Sequence, residues 1–185
     1  MKKLVILLLV TFLLVSVGVV GAEELKFRGV EFGSTTKEIK NKEGQPTEEE
    51  VGGLLYKDTL VGENVTILFK LQDKKFASGM YAFNMNPSNP NVYIDKMDRL
   101  ISQLKDKYGE PSETRMSWIP NPMFEDDLGW AVQTGEVKII YSWEMNDTQV
   151  INLFLGESSG VVNLAVLYED AKYLPRAKEN NNNKL

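Results

Sequence analysis

The chain contains no cysteine and no histidine in 185 residues. Without cysteine there is no disulfide, no thiolate nucleophile and no residue for a lipid anchor. A secreted form of the chain must then rest on its hydrophobic core. Without histidine the commonest general base at neutral pH and the commonest metal ligand are both missing. Cys–His nucleophiles, Ser-His-Asp triads and the usual zinc sites are excluded by inventory. Basic residues are also in short supply, 21 Lys and Arg against 26 Asp and Glu. An acidic chain with no basic stripe is unsuited to nucleic acid, whose affinity rests on phosphate contacts, and to anionic membrane surfaces. No cofactor and no metal is expected.

What is present begins with Lys2 and Lys3, followed by an apolar run from Leu4 to Val15 broken only by Thr11. Small residues follow and end in Val20-Gly21-Ala22, a pattern that fits signal-peptidase cleavage after Ala22. The 19 residues from Leu4 to Ala22 are marginal for a membrane span. The expectation is a signal peptide over residues 1–22, export to the periplasm or beyond, and no stable membrane anchor after cleavage. Removing Lys2 and Lys3 leaves 19 basic residues against 26 acidic ones, a net charge of −7. Residues 23–171 suit one domain. Residues 172–185, with the Asn180–Asn183 run, read as a polar, disordered tail.

An internal repeat organises the domain. Lys40-Asn41-Lys42-Glu43-Gly44-Gln45-Pro46-Thr47-Glu48 matches Lys105-Asp106-Lys107-Tyr108-Gly109-Glu110-Pro111-Ser112-Glu113 at five of nine positions, with an offset of 65 residues. Each copy closes a helix with Gly at a left-handed cap and Pro two residues on. Thr35 and Glu38 form a capping-box pattern ahead of a helix over residues 36–43. Tyr93, Met97, Leu100, Ile101, Leu104 and Tyr108 are helically spaced over residues 92–108. After each helix the period falls to two. Strands are expected at 54–57, 64–71 and 75–83, then at 130–133, 136–144, 149–155 and 161–168. The fold class is α+β: two tandem units, about 27–84 and 90–170, each a helix followed by an antiparallel meander, helices on one face of the sheet.

Residues 112–128 show no clear period and read as a long connection, a place where function often sits. It carries Met116, Trp118, Ile119, Met123 and Phe124 among prolines, then Glu125-Asp126-Asp127. Such apolar residues either fold back on the core or face a partner. Trp118, Ile119, Met123 and Phe124 are the candidate partner-binding residues.

Gly33, Thr35, Glu38, Ile39, Gly44 and Pro46 spell G-x-T-x-x-E-I-x(4)-G-x-P. This resembles the helix motif of the SmpA/OmlA group, small bacterial envelope proteins of outer-membrane protein assembly. That group is similar in structure to β-lactamase inhibitory protein, with two tandem units of helices on an antiparallel sheet. The resemblance implies that fold and an envelope location. Members of the group are typically lipoproteins and the inhibitory protein carries disulfides; this chain has cysteine for neither, and no functional residue carries over.

The remaining chemistry is thin. Glu125, Asp126 and Asp127 lack the alternating spacing of a calcium loop and read as a solvated acidic loop. Ser158-Ser159-Gly160 has no base beside it and reads as a turn; Gly52-Gly53 is not followed by the helix of a phosphate loop. Asn64-Val65-Thr66 and Asn146-Asp147-Thr148 fit the glycosylation triplet, which matters only in a eukaryotic secretory route. The expected function is non-enzymatic: an exported protein-interaction or envelope-associated module, its partner another protein. The alternatives are a small-ligand or peptide-binding exported protein, with an enclosed pocket, and a carboxylate-based hydrolase, with two close carboxylates in a cleft.

Overall fold

Thr35 opens the first helix, α1 (Thr36–Glu43), in the computed structural model, which describes residues 24–174. The capping box is complete: Thr35 Oγ1 accepts from the Glu38 N–H at 3.4 Å, and the Glu38 carboxylate accepts from the Thr35 N–H at 2.7 Å. The backbone and hydroxyl hydrogen bonds of Thr35 hold the Glu38 carboxyl below the usual carboxylate range. The second helix, α2 (Asn91–Tyr108), starts after Pro90 and buries Tyr93, Met97, Leu100 and Leu104.

Both helices end on glycine, in a conformation that differs from the expected left-handed cap. Gly44 has φ 87° and ψ −162°, and Gly109 has φ 83° and ψ −167°. Positive φ with extended ψ is open essentially to glycine alone. The two closures match bond for bond. The Gly44 N–H donates to the Lys40 carbonyl at 2.9 Å, and the Gly109 N–H to the Lys105 carbonyl at 2.8 Å. The Tyr56 hydroxyl donates to the Gly44 carbonyl at 3.2 Å, and the Trp143 indole N–H to the Gly109 carbonyl at 2.8 Å. The Thr47 N–H then donates to the Leu55 carbonyl at 2.7 Å, and the Ser112 N–H to the Ser142 carbonyl at 2.8 Å.

The strands among the described residues are β1 (Lys26–Phe27), β2 (Val30–Glu31), β3 (Glu48–Glu50), β4 (Gly53–Leu60), β5 (Glu63–Gln72), β6 (Lys75–Phe83), β7 (Glu113–Trp118), β8 (Val137–Glu144), β9 (Gln149–Ser158) and β10 (Val161–Asp170). The fold is α+β. β1 and β2 form a small hairpin, and the other eight strands form one antiparallel sheet in the order β3-β4-β5-β6-β10-β9-β8-β7. The strands after α1 occupy one half of the sheet and those after α2 the other, meeting at β6 and β10 with Tyr81 opposite Val166 and Gly79 opposite Tyr168.

One sheet face carries the core. Val65, Ile67 and Phe69 on β5 line up with Ile151, Leu153 and Leu155 on β9 and with Leu164 and Val166 on β10, all buried. Phe27 closes the middle of this layer, 5.0 Å from Phe69, 4.8 Å from Tyr81 and 5.3 Å from Tyr168 between ring centres. It lies directly over Gly79, where a Cβ would overlap its ring. Buried Lys96 on α2 donates to the Val61 carbonyl at 2.8 Å and pairs with Glu63 at 3.1 Å, tying the helix to the β4–β5 turn. Leu68 breaks the alternation of β5 because it points to the other face, in register with Leu55, Met80 and Leu167. Those four residues are half-buried, whereas Leu54 and Tyr56, beside Leu55 but on the core face, are buried.

Two sequence expectations are corrected here. Residues 113–118 are a strand, the edge strand β7, rather than part of a structureless connection. Residues 130–133 belong to a third helix, α3 (Leu128–Gln133), rather than a strand. The Asp127 carboxylate accepts from the Trp130 N–H at 3.2 Å and caps this helix, while Ala131 and Val132 are buried against the core. Cap and packing outweigh the strand preference of Trp and Val. Residues 1–22 of the expected signal peptide, Glu23, and 175–185 of the expected tail lie outside the described residues.

Candidate functional site

The segment joining β7 to α3 is built around Glu136. Its side chain is buried, and one carboxylate oxygen accepts from the N–H groups of Met123 and Phe124, both at 2.9 Å. The backbone carbonyl of Glu136 accepts from the Ile119 N–H at 2.8 Å. One buried acidic residue therefore shapes the whole proline-rich stretch, because each bond satisfies a donor that the turn leaves unpaired.

This arrangement splits the four candidate partner-binding residues into two pairs. Trp118 ends β7 opposite buried Val137 and packs on the core. Phe124 also packs on the core and stacks against Trp130 with ring centres 6.0 Å apart. Ile119 and Met123 face solvent, 47% and 81% exposed. Two residues not chosen from sequence join them, Met116 at 45% and Trp130 at 43% exposure. Trp130 is not among the sequence candidates because residues 130–133 read as a strand, where an aromatic is expected to be core. Asp127 three residues before it, at helix-capping spacing, is the signal that would have moved it to a helix face. Seven large apolar side chains are exposed among the described residues, and four of them fall within residues 116–130: Ile119 and Met123 in the joining segment, Met116 on β7 and Trp130 on α3. Glu125 and Asp126 beside them are exposed, while Asp127 is committed to its cap.

A second feature is a cleft of about 740 Å³ over the central β6–β10 pair, between β1 and the end of α2. Arg28, Tyr81, Lys107, Tyr108, Met145 and Tyr168 line it. Burial raises the Tyr168 hydroxyl far above the ordinary phenol range, with Tyr108 and Tyr81 adding to the effect, and burial raises Tyr81 as well. These hydroxyls stay neutral donors. Arg28 is already engaged, with Glu43 at 2.7 Å and Asp58 at 3.1 Å. The two carboxylates share one guanidinium, an arrangement that pins the end of α1 to β4.

Other motifs fall into structural places. Ser159 and Gly160 form the β9–β10 turn with φ 55° and 81°. Gly52 has φ 92° at the turn before β4, where its carbonyl accepts from the Leu71 N–H at 2.7 Å. Among the described residues no group of three or more acidic side chains is placed to hold a metal ion. No described helix is long and apolar enough to cross a membrane. Compared with known proteins, the chain matches no family model, no curated protein and no solved structure.

Proposed function

We propose that the protein is an exported, non-enzymatic interaction module, built from two tandem helix-plus-meander units, that binds another protein through the segment between β7 and α3. The observation that carries this proposal is the concentration of exposed Met116, Ile119, Met123 and Trp130 within residues 116–130, on that segment and on the parts of β7 and α3 that adjoin it. Solvated apolar side chains gathered in one place are costly to an isolated domain and useful to an interface, where aromatic and methionine anchors carry much of the affinity. Glu136 supports the same reading, since it holds the backbone at Ile119 and Met123 in a fixed conformation and so lowers the entropy lost on binding.

The two-unit organisation draws support from the matched closures at Gly44 and Gly109 and from the equal share of four strands that follows each helix. Export and an envelope setting draw on the residue pattern of 1–22 and on the resemblance to the SmpA/OmlA group. A second reading, a small-ligand or peptide-binding protein, has one observation in its favour, the tyrosine-lined cleft of about 740 Å³, a size suited to a small ligand. It ranks lower because Arg28 there already has two carboxylate partners within the protein.

The test is capture of partners from the native envelope with the mature chain as bait, beside a variant carrying Ile119→Ala, Met123→Ala and Trp130→Ala. The proposal expects the variant to fold with a stability within about 1 kcal/mol of the parent and to lose the specifically captured protein. Equal capture by both would rule out this segment as the interface.

A further inference from the structure

We infer that the outer edge of β7 receives an extended segment of the partner as a ninth strand, and that this segment is apolar at alternate positions with lysine or arginine at its ends. The inference rests on the protein-interaction reading and names the partner's chemistry. Its basis is the pairing of β7 with β8. Ile119 N–H reaches back to the Glu136 carbonyl, and the register continues Ser117↔Lys138, Arg115↔Ile140, Glu113↔Ser142. An antiparallel ladder alternates inward and outward backbone groups. The backbone groups of Glu113, Arg115 and Ser117 therefore point to β8, and those of Thr114, Met116 and Trp118 point outward. No described strand pairs with that outer edge. The side chains of the same three residues lie on the helix-covered face, in line with buried Ile139 and Val137. An added strand thus gains outward hydrogen-bonding groups and an apolar row from one set of residues, the way sheet edges bind peptides.

The opposite edge of the sheet behaves differently. β3 is Glu48-Glu49-Glu50, three residues long and wholly exposed, and a row of charges is how edges are kept from pairing. β7 has only Glu113 and Arg115, which neutralise each other at 2.6 Å.

Charge selects the occupant. Of the six acidic residues in 109–136, Glu110 pairs with Lys105 at 2.7 Å, Glu113 pairs with Arg115 at 2.6 Å, Asp127 caps α3 and Glu136 is buried on two amides. The exposed carboxylates of Glu125 and Asp126, in the segment that follows β7, carry the remaining negative charge. A second copy would bring the same carboxylates to the same edge, and like charges brought together oppose docking. A segment with basic ends is attracted to it, and its apolar residues sit beside Met116 and Trp118.

The experiment uses the mature chain labelled with ¹⁵N and a nine-residue peptide, two lysines, then alternating valine and threonine, then two lysines. Amide exchange of the free protein comes first: Thr114, Met116 and Trp118 should exchange fast, and slow exchange would mean that the chain's own terminal residues cover the edge, which overturns the proposal. Addition of the peptide should protect those three amides. Binding should weaken by about tenfold or more when alternate peptide nitrogens are methylated, since several hydrogen bonds are lost together. It should also weaken when glutamate replaces lysine, and as salt rises. Equal binding of the methylated peptide overturns the strand pairing; equal binding of the glutamate peptide overturns the charge selection. A dimer that protects the same amides without peptide overturns the choice of occupant in favour of a second copy. If the peptide fails while a captured partner protects Ile119, Met123 and Trp130 but not the three edge amides, the edge proposal falls and the interaction segment stands. If no partner depends on those side chains either, both fall.

Discussion

Replacing Gly44 or Gly109 by alanine isolates the backbone cost of the two helix closures. Nothing lies within 4 Å of a Cβ built at either position, so the substitution introduces no clash. The whole effect comes from forcing a side chain into positive φ with extended ψ, which costs about 1–3 kcal/mol per residue. A shift of about 1 kcal/mol moves the melting temperature of a domain this size by roughly 2–4 °C. A cost near the middle of that range, about 2 kcal/mol, lowers it by about 4–8 °C for each variant. The two sites share no hydrogen-bond partner, Gly44 using Lys40 and Tyr56 and Gly109 using Lys105 and Trp143. The double variant should then sum the single effects to within about 0.5 kcal/mol. Guanidinium denaturation followed by tryptophan fluorescence reads this directly, since Trp143 is 1% exposed. Unchanged midpoints in either single variant would refute the reasoning, because an alanine accepted there means the closure relaxes freely.

Other expectations follow from the core and from titration. Phe27→Ala should cost about 3–5 kcal/mol, as for any large aromatic removed from a closed core, and calorimetry would measure it. Glu136→Ala leaves the Met123 and Phe124 N–H groups without their acceptor, so hydrogen exchange at those two amides should accelerate while β9 and β10 stay protected. Tyr56, Tyr81, Tyr93 and Tyr168 are all raised above the ordinary phenol range, mainly by burial. The native state therefore holds these protons more tightly than the unfolded chain. Stability is fully present below about pH 10, the unfolded tyrosine pKa, and falls as pH rises above it. Tyr168→Phe should flatten that alkaline loss in denaturation midpoints taken from pH 9 to 12.

Much of the fold was legible because local chemistry agreed with tertiary packing. The Thr35–Glu38 box placed the start of α1, the stripe from Tyr93 to Leu104 placed α2, and alternation placed β5, β6, β8, β9 and β10 within a few residues. The misplacements have separate causes. β7 is an edge strand with five of six residues exposed, so it lacks the hydrophobic alternation of a strand with a buried face. α3 is six residues long, too short for a helical period to outweigh the strand preference of Trp130 and Val132. Phe27, which closes the core, sits in a two-residue strand that no periodicity marks. Of the candidate site, Ile119 and Met123 were legible as apolar residues in a polar setting. Trp118 and Phe124 look the same in sequence, and only three-dimensional packing turns them inward. Glu136 acts through two amides more than ten residues away along the chain, a relation invisible to local pattern.

The most direct measurement of the central claim is the affinity of the captured partner for the protein carrying Met123→Ala and Trp130→Ala together. Both side chains are substantially exposed, so the variant should keep its fold, with stability within about 1 kcal/mol of the parent. If they are interface anchors, truncation costs about 2 kcal/mol or more in binding, a loss on the order of thirtyfold in Kd. A stable variant that binds its partner within a factor of two of the parent would contradict the assignment of this segment as the interface.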